Sequence, residues 1–125
     1  MQQAIRSRGN RKVGISKSKI TQREAVRLVG KYAQEIKSYG VDLKKVYLFG
    51  SYAKNSQKEW SDIDVALVSD GFSGFGYNDL DLLGDICVKR DYVPIQTKFY
   101  STGYFKKGDP FIEEILKTGI EIPVS

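Results

Sequence analysis

The chain has 125 residues, enough for one domain with a real core and too few for two. Its apolar, aromatic and charged fractions (41%, 12% and 28%) match a soluble globular protein, and no apolar run reaches the length of a membrane span. Histidine is absent and cysteine occurs once, which excludes a histidine-based triad, a zinc cluster and an internal disulfide, so that any metal must use oxygen ligands, a preference of magnesium and manganese.

The net charge of +5 is uneven: residues 1–40 carry ten Lys and Arg against two acids, and residues 41–125 carry ten against thirteen. Residues 1–19 combine Arg6, Arg8, Arg11, Lys12, Lys17 and Lys19 with Gly, Ser, Asn and Gln, a composition with little apolar surface to bury. We read this segment as a basic, flexible tail preceding a domain over 20–125. A nucleic-acid arm is the alternative, disfavoured because the tail has no interleaved aromatic residue for base stacking. The N-terminus lacks the apolar stretch of a secretory signal, and Cys87 reads as a core residue among Leu83, Ile86 and Val88, so a cytoplasmic location is expected.

Thr21-Gln22-Arg23-Glu24 has the spacing of a capping box, and after it Ala25, Leu28, Val29, Tyr32, Ile36 and Tyr39 recur at helical spacing up to Gly40. This predicts an amphipathic helix of about five turns. Val46–Phe49 and Ile63–Val68 read as buried strands, the first running into Gly50-Ser51 and the second ended by Asp70-Gly71. Residues 51–56 suit a short helix or turn, 55–61 a polar loop and 71–77 a mobile loop. Asn78 can cap a helix carrying Leu80, Leu83, Ile86 and Cys87. Tyr92–Tyr100 reads as a third strand, placed at an edge or distorted at its start by Pro94. Asp109-Pro110 opens a last helix with Ile112, Ile115 and Leu116 as its apolar face and Gly119 as its end. The order predicts a small α/β (α+β) sandwich, a short mixed sheet flanked by helices.

Chemistry concentrates at two motifs. Asp62 and Asp64 are two apart on a strand, so their carboxylates share a face while Ile63 and Val65 face the core. Adjacent carboxylates repel, and a hard cation between them relieves the repulsion. Such a pair also suits metals that clamp both ends of a phosphoryl displacement, although an isolated D-x-D is more often just the polar edge of a strand. Gly50-Ser51 lies at a strand-to-turn junction, where glycine admits a phosphate close to the backbone and the serine hydroxyl with leading N–H groups can hold its oxygens. Lys54, one turn on, adds positive charge. Gly-Ser alone is only a turn signal. Eleven residues separate Ser51 from Asp62, however, so a phosphate cradle would lie beside a metal-binding pair.

Leu48-Phe49-Gly50-Ser51-Tyr52-Ala53-Lys54 followed by Ser61-Asp62-Ile63-Asp64-Val65 closely resembles the signature of the minimal nucleotidyltransferases, the stand-alone catalytic domains of the DNA polymerase beta superfamily. The resemblance runs from about residue 20 to 120. It implies that Gly50, Ser51, Lys54 and Ser61 hold a nucleoside triphosphate, with Lys54 where relatives often carry arginine. It implies that Asp62 and Asp64 are catalytic and bind Mg2+ or Mn2+. The implied activity is transfer of a nucleoside monophosphate, AMP in the first instance, from an NTP such as ATP to an acceptor hydroxyl. Many members are antitoxins paired with a helical HEPN-type toxin, and some transfer AMP to that toxin. No membrane or nucleic-acid partner is implied.

One departure stands out. The family supplies a third carboxylate from a later strand, and here Ile95-Gln96-Thr97-Lys98-Phe99 puts Gln96 at that position. An amide carries no charge and cannot act as a general base, and Lys98 on the same face further disfavours a metal. Asp91 is a substitute of the opposite strand parity. The alternative expectation is therefore a catalytically degenerate relative that binds a nucleotide or serves as an antitoxin.

Overall fold

The computed structural model describes residues 20–72, 92 and 94–124. The proposed tail over 1–19, the capped helix over 78–87, Cys87 and Asp91 lie outside the described residues.

Helix α1 spans Gln22–Ser38. Its capping box is closed in both directions: the Glu24 N–H donates to Thr21 Oγ1 at 3.0 Å, and the Thr21 N–H donates to Glu24 Oε1 at 2.8 Å. Ala25, Val29, Tyr32, Ala33 and Ile36 form the buried stripe. Tyr39, expected on that stripe, is exposed, because it is already the C-cap and the chain turns away at Gly40, whose φ of 92° suits glycine.

Strand β1 spans Leu43–Phe49 and β2 spans Ile63–Ser69; they pair antiparallel, with Phe49 opposite Asp64. Strand β1 begins three residues before its apolar run, through the exposed Lys44 and Lys45. Strand β3, Ile95–Tyr100, runs parallel to β2 at the sheet edge, as Pro94 suggested. Tyr92 falls short of the strand. Its buried ring packs 4.9 Å from that of Tyr32, and its hydroxyl donates to Glu35 at 2.8 Å.

Two elements escaped the sequence reading. Helix α2, Thr102–Lys107, is capped by Ser101, whose hydroxyl accepts the Tyr104 N–H at 3.2 Å. Strand β4, Ile120–Glu121, adds to the free side of β1. Both are too short to display a period. Helix α3, Pro110–Thr118, lies between them, capped by Asp109 and ended at Gly119 as expected. Leu116, assigned to its apolar face, is 52% exposed; it stands about 100° around the helix from Ile115, off the stripe that Ile112 and Ile115 bury.

The sheet order is β3-β2-β1-β4, and helices cover both faces. Strand alternation sorts the core. Val46, Leu48, Ile63, Val65, Leu67 and Phe99 pack toward α1. Tyr47, Phe49, Ala66 and Val68 pack toward Phe105 of α2 and Ile112 and Ile115 of α3. The result is the expected α/β sandwich, a mixed sheet flanked by helices, here in three layers. Among the described residues no helix is long and apolar enough to cross a membrane.

Candidate active site

The alternation that buries Ile63 and Val65 under α1 turns Asp64 to the opposite face, beneath α3. Asp62 stands one residue before β2 and has the same parity, and both line one cleft of about 540 Å³. On one side of Asp64 lies the end of β1. Gly50 directly follows Phe49, Asp64's antiparallel partner, and has a φ of 77°. A Cβ built there would collide with Asp64 Oδ2, so the carboxylate lies against the glycine backbone and any other residue would have to displace it from a strained backbone position. On the other side Gln96 is Asp64's partner in the parallel ladder, and Lys98 pairs with Ala66 two positions on. Thr97 has the other parity, and its hydroxyl meets that of Tyr32 at 2.7 Å.

The turn after Gly50 is one helix-like loop. The Lys54 N–H donates to Gly50 O at 3.2 Å and the Ser56 N–H to Ser51 O at 2.9 Å. Tyr52 anchors it in the α1 core, and Asn55 closes it in the left-handed region at φ 55°. Gln22, the first residue of α1, donates its side-chain amide to Tyr52 O at 2.9 Å and Ala53 O at 3.1 Å. These bonds tie the turn to the helix, and no motif pointed to them. Lys54 reaches the cleft and lies 3.7 Å from Glu114. Both side chains are half exposed, so this pair contributes little to stability.

Helix α3 forms the facing wall. Phe111, Glu114, Ile115 and Thr118 all line the cleft, and their spacing of three, four and seven places them on one helical face. The sequence reading singled out only Ile115 of these four. No motif marked the other three, which lie beside the stripe that Ile112 and Ile115 bury.

The structure therefore brings Gly50, Lys54, Asp62, Asp64, Gln96 and Lys98 into one cleft. Ser51 and Ser61 stand outside its lining. Ser61 closes the turn before Asp62, its hydroxyl accepting the Lys58 N–H at 2.8 Å. Partial burial pushes the Asp64 carboxyl above its usual range, the charge of Asp62 adds to this, and Lys98 opposes it. A neighbouring pair of acids, one half-buried, has the chemistry to suit a hard cation. Among the described residues no group of three or more His, Cys, Asp or Glu is placed to hold a metal.

A mixed sheet with a Gly-Ser turn at one strand end and an aspartate pair on the next defines a nucleotidyl-transfer fold. The family model for the nucleotidyltransferase domain matches residues 29–121, and the chain belongs to that family. It is similar to a protein of Methanocaldococcus jannaschii named as a protein adenylyltransferase, 37% identical over 62 residues, which make up 49% of this chain and 55% of that protein. The match thus spans about half the length of that relative. In fold the chain is similar to a protein from Sulfolobus solfataricus described as a nucleotidyltransferase, with a TM-score of 0.57 at 19% identity over 80% of each chain. It is also similar to a chain from a toxin–antitoxin structure solved with AMP-PNP, with a TM-score of 0.51 at 15% identity over 85% of this chain and 75% of that one.

Proposed function

We propose that this nucleotidyltransferase transfers a nucleoside monophosphate, AMP in the first instance, from an NTP to a hydroxyl on a partner protein. The observation that carries the reading is the packing of Asp64 against Gly50, with Asp62 and Lys54 in the same cleft. A triphosphate seated on the turn after Gly50 would meet the leading N–H groups, which precede the turn's first internal bond, and the Lys54 ammonium. Its α-phosphate would then lie by the two aspartates. The acceptor oxygen bonds to that phosphorus as the bond to pyrophosphate breaks, and the hydroxyl proton passes to solvent. Catalysis here is positioning and charge neutralisation. Asp62 and Asp64 would hold magnesium or manganese, which supplies Lewis-acid stabilisation of the phosphate charge.

The acceptor class is supported by the adenylyltransferase name of one relative and the toxin–antitoxin context of another. A helical toxin of the HEPN type, in the cytoplasm, is the partner we propose. One observation favours a second reading, a nucleotide-binding antitoxin without turnover: Gln96, beside Asp64 in the ladder, is neutral where a carboxylate would serve as base.

Nucleotide affinity measured with and without magnesium tests the site, and transfer of label from α-labelled NTP tests turnover. Affinity should rise with magnesium, and Asp62→Asn with Asp64→Asn should abolish that rise while raising the melting temperature in chelator, because a repulsive pair is removed. Gln96→Glu should increase transfer by about a hundredfold if only the base is missing. Nucleotide binding independent of magnesium and unchanged in the double variant overturns the site. Absence of transfer in both wild type and Gln96→Glu, with a verified partner, selects the antitoxin.

A further inference from the structure

The cleft is lined by two kinds of side chain. Its lining combines charged side chains, Lys54, Asp62 and Asp64, with apolar ones, Phe49, Phe111 and Ile115. Phe111 is the member that core packing does not explain. It is 45% exposed, whereas Phe49 and Ile115 are buried. Phe49 meets it perpendicular at a ring separation of 5.6 Å, and the Lys98 ammonium lies 5.3 Å from its ring centroid. Phe111 is thus a half-exposed ring in the cleft lining, braced edge-on by Phe49, with the Lys98 ammonium over one part of its face.

We propose that Phe111 is the stacking platform for the nucleobase of the bound nucleotide, flanked by Lys98, and that it favours purines. The inference rests on the nucleotide-binding reading above and extends it to the base. A nucleotide combines a highly charged triphosphate with a flat aromatic base, and the cleft lining holds charged and aromatic side chains for both. The volume of about 540 Å³ falls within the usual range for small-molecule sites, roughly 300–1,000 Å³. Stacking is tolerant of base identity but grows with π-surface, so a two-ring base gains more than a one-ring base. Lys98 has donors and no acceptor, which suits the N7 acceptor that both purines carry. Phe111 opens α3 at its second residue, where the Asp109 cap and Pro110 fix the backbone, so the ring is held by a rigid element.

The experiment is calorimetry of the full chain in magnesium with tripolyphosphate, ATP, GTP, CTP and UTP. Wild type should bind both purine nucleotides more tightly than either pyrimidine nucleotide. Phe111→Ala should weaken ATP and GTP by about tenfold, within the range of roughly 5- to 150-fold for a lost base stack, and should level the four nucleotides. Tripolyphosphate affinity should stay within about twofold, since it has no base to stack, and Phe111→Tyr should retain the purine preference. Equal loss for tripolyphosphate and ATP in Phe111→Ala would show a purely structural ring and overturn the proposal. So would unchanged purine affinity, which would leave Phe111 as a surface for a partner. If wild type binds neither tripolyphosphate nor any nucleotide, the failure lies with the nucleotide reading itself.

Discussion

Gly50 decides the geometry of the site at the scale of single atoms. Its positive φ disfavours any side chain, and the approach of Asp64 Oδ2 means that a Cβ there would push the carboxylate aside. Gly50→Ala should therefore lower stability by roughly 1–3 kcal/mol from backbone strain alone, and displacing the carboxylate should abolish magnesium-dependent nucleotide binding. Thermal unfolding and calorimetry on one preparation check both effects. Retained binding in a folded Gly50→Ala protein would mean that Asp64 need not touch the turn. This glycine and the aspartate pair were legible in the sequence because each obeys a local rule, a strand-to-turn junction in one case and the period of two in the other. Phe111 and Glu114 were not legible, because their role depends on which face of α3 meets β1, and no local rule encodes that. Gln96 was legible only through the family resemblance, and the ladder pairing with Asp64 then gave it a place.

Helix α3 is the element on which the cleft wall depends, and a single carboxylate sets its start. Asp109 accepts the Ile112 N–H at 2.7 Å and the Tyr104 hydroxyl at 2.5 Å. The Tyr104 hydroxyl holds the Asp109 carboxyl below its usual range, and the Ile112 amide adds to this. A carboxyl depressed in the folded state contributes stability that is present above the unfolded value of 3.8 and is lost as pH falls through the lower folded value. Asp109→Ala should accordingly lower the melting temperature at neutral pH, and its deficit should shrink as pH drops below 3.8. Melting curves across that range check it, and a deficit independent of pH would show that charge is not what the cap uses. This start, with Asp109 followed by Pro110, was plain in the sequence. Helix α2 was not, since six residues hold fewer than two turns and leave no stripe to detect.

For the whole molecule, the two faces of the sheet divide labour. The α1 side is packed core, while the α3 side carries both core and cleft. Ile36 is fully buried on the α1 side. Ile36→Val should cost about 0.5–1.5 kcal/mol, seen as a drop of several degrees in melting temperature, yet leave nucleotide affinity unchanged below the new transition. A parallel loss of affinity in calorimetry would show that the faces are coupled. A mixed sheet flanked by helices was readable because the longer helix and the strands carry their own apolar periods, whereas the sheet order was not, because pairing partners are chosen over long stretches of chain. That difference bears on how the site comes into being. Strands β1 and β2 are adjacent in sequence and antiparallel, so Gly50, Lys54, Asp62 and Asp64 ride on one hairpin whose closure is a local event. Strand β3 joins β2 in parallel, and Gln96 must cross a much longer stretch of chain to reach Asp64. Loop-closure entropy delays such pairings, so during folding the acidic half of the cleft is assembled before the half that carries Gln96 and Lys98, and the two aspartates face one another for a time with no cation of the protein's own third strand beside them.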